Sequence, residues 1–229
     1  MLDLTWNAHS NFTVSDGLHS IIFDPWFTGN PTAAIAASAV EGIEAILVTH
    51  GHSDHLGDAV ELSKRHHAPI IAPNELALFC QRRGAAVVAM NPGGKRHFDF
   101  GLVRMVRADH SSAFIDKGAE YTGVACGFVV SMGGLNLYFA GDTDLFSDMA
   151  LIAKLSPIDL ALLPIGDNYT MGPEEAALAV NFIKPRFAVP MHYRTFDVLE
   201  QSAEKFVELV GKEECEAVVF EVGQTRRFE

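Results

Sequence analysis

Three histidines and an aspartate fall within six residues of the segment THGHSDHLGD: His50, His52, Asp54 and His55. His50 and His52 are two residues apart, so in an extended segment their side chains point the same way and can reach one cation. Asp54 and His55 follow where the chain turns into a predicted helix, and they can reach a second cation. Imidazole and carboxylate ligands without a thiolate suit zinc, but also manganese, iron, cobalt or nickel.

Strand and helix patterns along the chain bring three more candidate ligands to this segment. Strands are predicted over 19–26, 43–50, 68–73, 103–110, 158–166, 187–192 and 216–222, with a hairpin over 124–143 that turns at Gly133-Gly134. Helices are predicted over 55–66, 75–84, 172–183 and 197–212. The predicted strand ends carry His50, His110, Asp142 and His192, and strand ends at one edge of a sheet converge in space. We therefore expect five imidazoles and two carboxylates in one site.

A pair of cations in this site would need a bridging group, and Asp142 in the segment AGDTD is the natural candidate. Two cations about 3.5–4 Å apart can share a hydroxide, lower its pKa toward ~7 and polarise a substrate oxygen. This chemistry hydrolyses a bond without a serine or cysteine nucleophile. An isolated HxH spacing is a weak signal, whereas the ordered set of all seven residues is specific.

Five further residues near the predicted strand ends are candidates for supporting roles. His9 in NAHSN either orients a ligand or caps a turn. Asp24 either closes its strand or accepts a hydrogen bond from a ligating imidazole, and we favour the hydrogen bond because such imidazoles need an acceptor on the other nitrogen. Asn168 is a candidate to line the pocket. Tyr193 and Arg194 either contact substrate or pack at the surface.

Together these motifs resemble the metallo-β-lactamase superfamily over nearly the whole chain. HGHSDH at 50–55 is similar to its HxHxDH signature, and ADH, GDT and PMH are similar to its later ligand motifs. The resemblance implies a mixed α and β (α+β) fold, a four-layer αβ/βα sandwich with the metals at one edge. It also implies one metal site formed by His50, His52 and His110, a second formed by Asp54, His55 and His192, and a bridge formed by Asp142.

A narrower resemblance rests on WNAHSNF at 6–12, FDPWF at 23–27, GDTDLF at 141–146 and NYTMGPEEA at 168–176. These segments are similar to an uncharacterised group of metal-dependent hydrolases related to ascorbate-phosphate lactonases and to the phospholipase D that cleaves N-acylethanolamine phospholipids. We expect two divalent ions, zinc first, whose bridging hydroxide attacks an ester-like substrate such as a lactone or phosphodiester. Asp54 and His192 are the expected catalytic residues. The alternatives are a non-catalytic metal-binding or sensing protein and, third, an oxygen-using di-iron enzyme.

Composition limits the remaining possibilities. The chain has 229 residues, 48% apolar and 20% charged, which suits a soluble globular protein with a single domain over 1–229. No stretch reaches the ~20 apolar residues of a membrane span, and the N-terminus lacks signal-peptide features, so we expect a cytoplasmic location. The net charge of −12 disfavours bulk nucleic-acid binding and leaves a small molecule as the expected partner. Homo-oligomer formation stays open.

Overall fold

Two large β-sheets organise the chain in the computed structural model, which describes residues 1–211 and 215–229. The strands are β1 (Leu2–Ala8), β2 (Asn11–Ser15), β3 (Ser20–Phe23), β4 (Ala45–Leu47), β5 (Ile70–Pro73), β6 (Val87–Met90), β7 (Lys95–Phe98), β8 (Gly101–Arg107), β9 (Ala113–Ile115), β10 (Ala119–Tyr121), β11 (Cys126–Met132), β12 (Leu135–Phe139), β13 (Leu160–Pro164), β14 (Phe187–Met191), β15 (Glu216–Ala217) and β16 (Thr225–Phe228). The α-helices are α1 (Ser53–Leu56), α2 (Ala59–His66), α3 (Asn74–Arg82), α4 (Met149–Leu155), α5 (Pro173–Ile183) and α6 (Glu204–Val210).

The two sheets have the same plan, an antiparallel part followed by a parallel part. The first has the order β16-β1-β2-β3-β4-β5-β6 and is parallel from β3 to β6. The second has the order β15-β14-β13-β12-β11-β8-β7 and is parallel from β12 to β15. Strands β5 and β13 are buried along their whole length, as expected for parallel strands that are covered on both faces.

Apolar side chains fill the space between the sheets and the space under the helices. Between the sheets, the rings of Phe23 and Phe139 stack with their centroids 4.6 Å apart. On the outer face of the first sheet, Leu62 of α2 and Leu76 of α3 pack with Ile46 and other strand residues. Helix α5 packs on β13 of the second sheet. The expected mixed fold, with helices outside two sheets in a four-layer αβ/βα sandwich, is confirmed.

Several predicted elements match the structure. Helices α3 and α5 agree closely with the predictions over 75–84 and 172–183. The predicted hairpin forms β11 and β12, and its turn residues Gly133 and Gly134 have φ angles of +57° and +84°. The sequence patterns did not predict α4 or the strands β1, β2, β6, β7, β9, β10 and β16. Strands β1 and β16 pair across nearly the whole chain, which no local pattern indicates.

The predicted helix over 55–66 is wrong, because the chain breaks it into α1 and α2. Gly57 lies between them with φ +39°, and a Cβ atom at this position would overlap the backbone of Trp26. The carboxylate of the next residue, Asp58, accepts the backbone N–H groups of Phe27 and Thr28, each at 2.9 Å. This anchor to the loop after β3 stops the helix, and it leaves Asp54 and His55 on a short, separate turn of helix.

Other predicted elements are shorter in the structure. Strands β4 and β8 end three residues before His50 and His110, because the backbone leaves the sheet there. After β4, for example, the N–H of Thr49 donates to the carboxylate of Asp24 at 2.8 Å. The predicted helix over 197–212 begins only at Glu204, and residue 212 lies outside the described residues. The predicted strand over 216–222 is reduced to β15. In the part of the chain that the structure describes, no helix has the length and apolar character needed to cross a membrane.

Candidate metal centre

Loops from both sheets meet where strands β4, β8, β12 and β14 end. His50, His110 and Asp142 each lie three residues past a strand end, and His192 directly follows β14. The short helix α1 adds Asp54 and His55 from the loop after β4. All seven candidate ligands of the sequence analysis belong to groups of potential metal ligands whose donor atoms lie within 4.8 Å of one another.

The carboxylate of Asp142 lies at the middle of this cluster and is 2% exposed. Its Oδ2 atom is 3.0 Å from His192 Nε2, 3.2 Å from His55 Nε2, 3.7 Å from His110 Nε2 and 3.9 Å from His50 Nε2. Burial opposes ionisation of Asp142, but the imidazoles of His192 and His55 outweigh burial and hold its pKa well below the usual range. One carboxylate oxygen is therefore shared by four histidines from three segments, those that follow β4, β8 and β14.

On one side of Asp142 lies a group of three histidines, His50, His52 and His110, which we call the imidazole half. His50 is fully buried, whereas His52 and His110 are half-buried. The hydroxyl of Thr49 donates to Asp24 Oδ2 at 2.7 Å, so its oxygen accepts the Nδ1 proton of His50 at 2.9 Å. The Nε2 lone pair of His50 therefore points into the cluster.

On the other side lie His9, Asp54, His55 and His192, which we call the carboxylate half. The Oδ2 atom of Asp54 is 3.3 Å from His9 Nε2, 3.9 Å from His192 Nε2 and 4.0 Å from His55 Nε2. The Asp54 side chain is 25% exposed, and the three histidines are buried.

Asp24 supports both halves from beneath the cluster. Besides accepting from Thr49, its Oδ2 atom lies 2.7 Å from His55 Nδ1. Burial lowers the pKa of His55, but the carboxylates of Asp142 and Asp24 outweigh burial and raise this pKa well above the ordinary value. Without a cation, the cluster thus retains a proton on His55 between two carboxylates.

An unusual backbone conformation turns three of these side chains into the cluster. His9, Asp24 and His192 each follow a strand directly and have φ angles of +53°, +39° and +57°. This left-handed region is rare for residues other than glycine and costs roughly 1 kcal/mol or more at each position. Gly166 allows the turn at His192, because a Cβ atom at 166 would overlap the His192 carbonyl oxygen.

The remaining predicted site residues lie outside the cluster. Asn168 is exposed in the turn after β13. Tyr193 is buried and stacks on Trp6 with ring centroids 5.6 Å apart. Arg194 pairs with Glu221 at 3.3 Å. The contacts of Tyr193 and Arg194 are made with other parts of the fold. A substrate role for Asn168, Tyr193 and Arg194 stays a prediction.

Two threonines that sequence analysis missed hold histidines of the cluster. Thr49 directly precedes the HxHxDH motif, and this position next to a ligand could have indicated its role. Thr195 Oγ1 lies 2.9 Å from His9 Nδ1, across a sequence separation of 186 residues. No sequence signal pointed to Thr195.

The donor atoms of the cluster fit divalent cations. Within the described residues, four polar atoms of the cluster are buried without a hydrogen-bond partner: His9 Nε2, His55 Nε2, Asp142 Oδ1 and His192 Nδ1. Buried polar atoms are nearly always paired, so this group needs an explanation. A bound cation explains the first three, and the nitrogen and oxygen donors suit zinc, manganese, iron, cobalt or nickel.

Comparison with known proteins places this geometry in a family. Residues 19–193 match the family model described as "Beta-lactamase superfamily domain". A UPF0173 metal-dependent hydrolase from Heliobacterium modesticaldum is 50% identical over 216 residues, covering 92% of this chain and 90% of the relative. Another from Desulfitobacterium hafniense is 46% identical over 215 residues, covering 92% and 91%. The chain belongs to the UPF0173 family of the beta-lactamase superfamily.

A solved structure extends the similarity of this UPF0173 chain to the whole fold. Igni18, described as a novel metallo hydrolase from the archaeon Ignicoccus hospitalis, superposes with a TM-score of 0.90 at 33% sequence identity. The match covers 100% of this chain and 98% of Igni18. The resemblance to the superfamily and to a group of metal-dependent hydrolases, inferred above from short motifs, is confirmed.

Proposed function

We propose that the chain is a hydrolase that holds two divalent cations, zinc first among the candidates, and cleaves an ester-like small molecule. One observation carries the proposal: a single buried oxygen, Asp142 Oδ2, lies within 3.9 Å of an imidazole nitrogen from each of four histidines, two in each half of the cluster. A shared carboxylate between two groups of ligands suits a pair of cations. The names of the UPF0173 relatives, which are metal-dependent hydrolases, support the same function.

The two halves supply separate ligand sets in this proposal. The imidazole half would hold one cation, and Asp54, His55 and His192 would hold the other, with Asp142 between them. When bound, such a pair of cations activates water and polarises the substrate oxygen. The N–H of His50 bonded to Thr49 and that of His55 bonded to Asp24 would fix the orientation of two ligands.

Asp54 is the proposed proton acceptor. Among the members of the carboxylate half it is the one with a partly exposed side chain, so its carboxylate can reach both the cluster and an entering water. One oxygen can ligate while the other orients an incoming water and takes its proton. His192 was also expected to act catalytically, but its Nε2 atom lies 3.0 Å from Asp142 inside the cluster. We therefore assign His192 to ligand binding, and protonation of the leaving group to solvent water.

Charge and aromatic surface support an ester-like substrate. Two divalent cations carry four positive charges, and Asp24, Asp54 and Asp142 carry three negative charges, so one positive charge remains to stabilise an oxyanion. Beside the carboxylate half, the rings of Trp26 and Phe196 stack with centroids 5.8 Å apart, and Phe196 is 38% exposed. An apolar group next to a lactone or phosphodiester fits this surface. A single domain over 1–229 and a cytoplasmic location complete the proposal.

Metal content per chain, measured by mass spectrometry on tag-free protein, tests the proposal first. We expect about two equivalents in the wild type and a clear loss in Asp142→Ala, because the shared ligand is gone. Asp144→Ala is the matched control: it removes an exposed carboxylate from the same loop and should keep both equivalents.

Turnover then tests the substrate class. The loaded wild type is assayed against a panel of lactones and phosphodiesters, with Asp54→Asn as the inactive reference. One equivalent of metal that Asp142→Ala leaves unchanged would rule out the shared carboxylate. Two equivalents without turnover on any ester, lactone, thioester, amide or phosphodiester would favour the non-catalytic alternative.

A further inference from the structure

His9 lies inside the cluster although it belongs to neither metal site of the motif-based assignment. It is 1% exposed, its ring centroid is 4.0 Å from that of His192, and its Nε2 atom is 3.3 Å from Asp54 Oδ2. The donor atoms of His9, Asp54, His55 and His192 all lie within 4.8 Å of one another. His9 is therefore as close to the proposed second cation site as the other members of the carboxylate half.

Hydrogen bonding at the far side of the ring determines which nitrogen carries the proton. The Thr195 hydroxyl donates its one proton to the carbonyl oxygen of Tyr193 at 3.2 Å. Its oxygen must then accept from His9 Nδ1 at 2.9 Å, so Nε2 has a lone pair and no proton. This lone pair faces the ionised carboxylate of Asp54, and Nε2 has no hydrogen-bond partner within residues 1–211 and 215–229. Two acceptor atoms held face to face repel each other unless a cation lies between them.

The backbone around His9 is held firmly in its rare conformation. The carbonyl oxygen of His9 accepts the indole N–H of Trp6 at 2.8 Å and the backbone N–H of His192 at 3.2 Å. These two bonds fix the left-handed turn at His9, the same device that positions Asp24 and His192. Because two hydrogen bonds hold this turn, the imidazole of His9 has a fixed orientation, which a turn that only ended β1 would not require.

We propose that His9 is a further ligand of the cation in the carboxylate half, an inference that rests on the proposed function. The cation would then have five protein donors: His9, Asp54, His55, His192 and the shared Asp142. Zinc sites usually have four ligands in all, whereas manganese, iron, cobalt and nickel commonly accept more. The carboxylate half should therefore be less selective for zinc than the imidazole half, whose three imidazoles and Asp142 match a four-coordinate zinc.

Cobalt binding to the metal-free chain tests the proposal without any assay of activity. Each histidine bound to Co²⁺ through one nitrogen shows the N–H of its other nitrogen as a shifted, exchangeable signal in proton NMR. His9→Gln removes the imidazole but keeps an N–H that can donate to Asp54, so it separates ligation from hydrogen bonding. His9→Asn is the second variant, because asparagine adopts the left-handed conformation more easily. His97→Gln, on exposed β7, is the control.

We expect one shifted N–H signal to be absent in both His9 variants and present in His97→Gln. The same signal should move in Thr195→Val, because Thr195 accepts that N–H. Affinity for one of the two cobalt equivalents should fall by well over ~100-fold in His9→Gln, beyond the roughly 10- to 100-fold expected from loss of a supporting hydrogen bond alone.

The alternative results separate this inference from the proposed function. If the wild type binds two equivalents of cobalt and the His9 variants keep every shifted N–H signal, His9 is not a ligand. The proposed dinuclear hydrolase would not be affected by that result. Failure of the wild type to bind cobalt would overturn both.

Discussion

The two halves of the cluster differ in how ready they are to bind a cation. In the imidazole half, burial lowers the pKa of His50 well below its ordinary value and lowers those of His52 and His110, so these imidazoles are neutral near pH 7. In the carboxylate half, His55 retains a proton, and two residues have left-handed backbone. The first half can accept a cation as it stands, whereas the second must release a proton.

Asp24 is common to both halves, so its replacement should have the largest effect. Asp24→Asn keeps the size of the side chain and tolerates φ +39°, but it removes the charge that faces His55 and Thr49. We expect the free energy of unfolding to fall by ~3 kcal/mol, since a buried charged partner is lost. Both metal equivalents should bind roughly 10- to 100-fold more weakly. Denaturant unfolding and metal titration measure the two effects.

Asp159→Ala is the control for Asp24→Asn. It removes the acceptor for the backbone N–H of Asn136 at 2.8 Å, at the ends of β12 and β13 that lie away from the cluster, so stability should fall while metal affinity stays constant. If Asp24→Asn weakens only one equivalent, Asp24 does not support both halves.

The proton on His55 predicts a different pH dependence for each half. Its pKa is raised, so it is protonated at neutral pH, and a cation gains affinity as rising pH removes this proton. We expect ~10-fold tighter binding per pH unit in the carboxylate half between pH 6 and pH 8. The imidazole half should change little over that range, because its pKa values are lowered. Calorimetric titration in buffers of different ionisation enthalpy counts the protons released, and equal release for both equivalents would contradict the distinction.

The two supporting threonines allow the smallest and most selective test. Thr49→Val removes the acceptor for His50 in the imidazole half, and Thr195→Val removes the acceptor for His9 in the carboxylate half. Each should weaken one equivalent by ~10-fold and leave the other unchanged. Thr49→Val should also destabilise the chain by about 1 kcal/mol, because it leaves Asp24 with one donor fewer. Loss of the same equivalent in both variants would show that the halves are not separate sites.

The sequence predicted the members of the cluster better than the elements that deliver them. His50, His110 and Asp142 follow runs of apolar residues that mark buried strands, so their convergence could be inferred from topology rules. The strand ends were placed too late, because apolar pattern does not reveal where the backbone leaves the sheet to bond a side chain such as Asp24.

Contacts over long sequence separation explain the rest. The break at Gly57 depends on the loop at Trp26, and the orientation of His9 depends on Thr195. The pairing of β1 with β16 joins segments more than 200 residues apart. Each of these is fixed by packing of the finished fold, which no single stretch of sequence contains.

The left-handed turns at His9, Asp24 and His192 also bear on tolerance to mutation. Glycine would adopt these φ angles without steric cost, and asparagine with little. Any β-branched residue would be excluded at the three positions by its backbone before its chemistry mattered. The strained backbone at these three positions therefore lowers the free energy of unfolding. A variant selected only for thermal resistance would be expected to lose this cluster first.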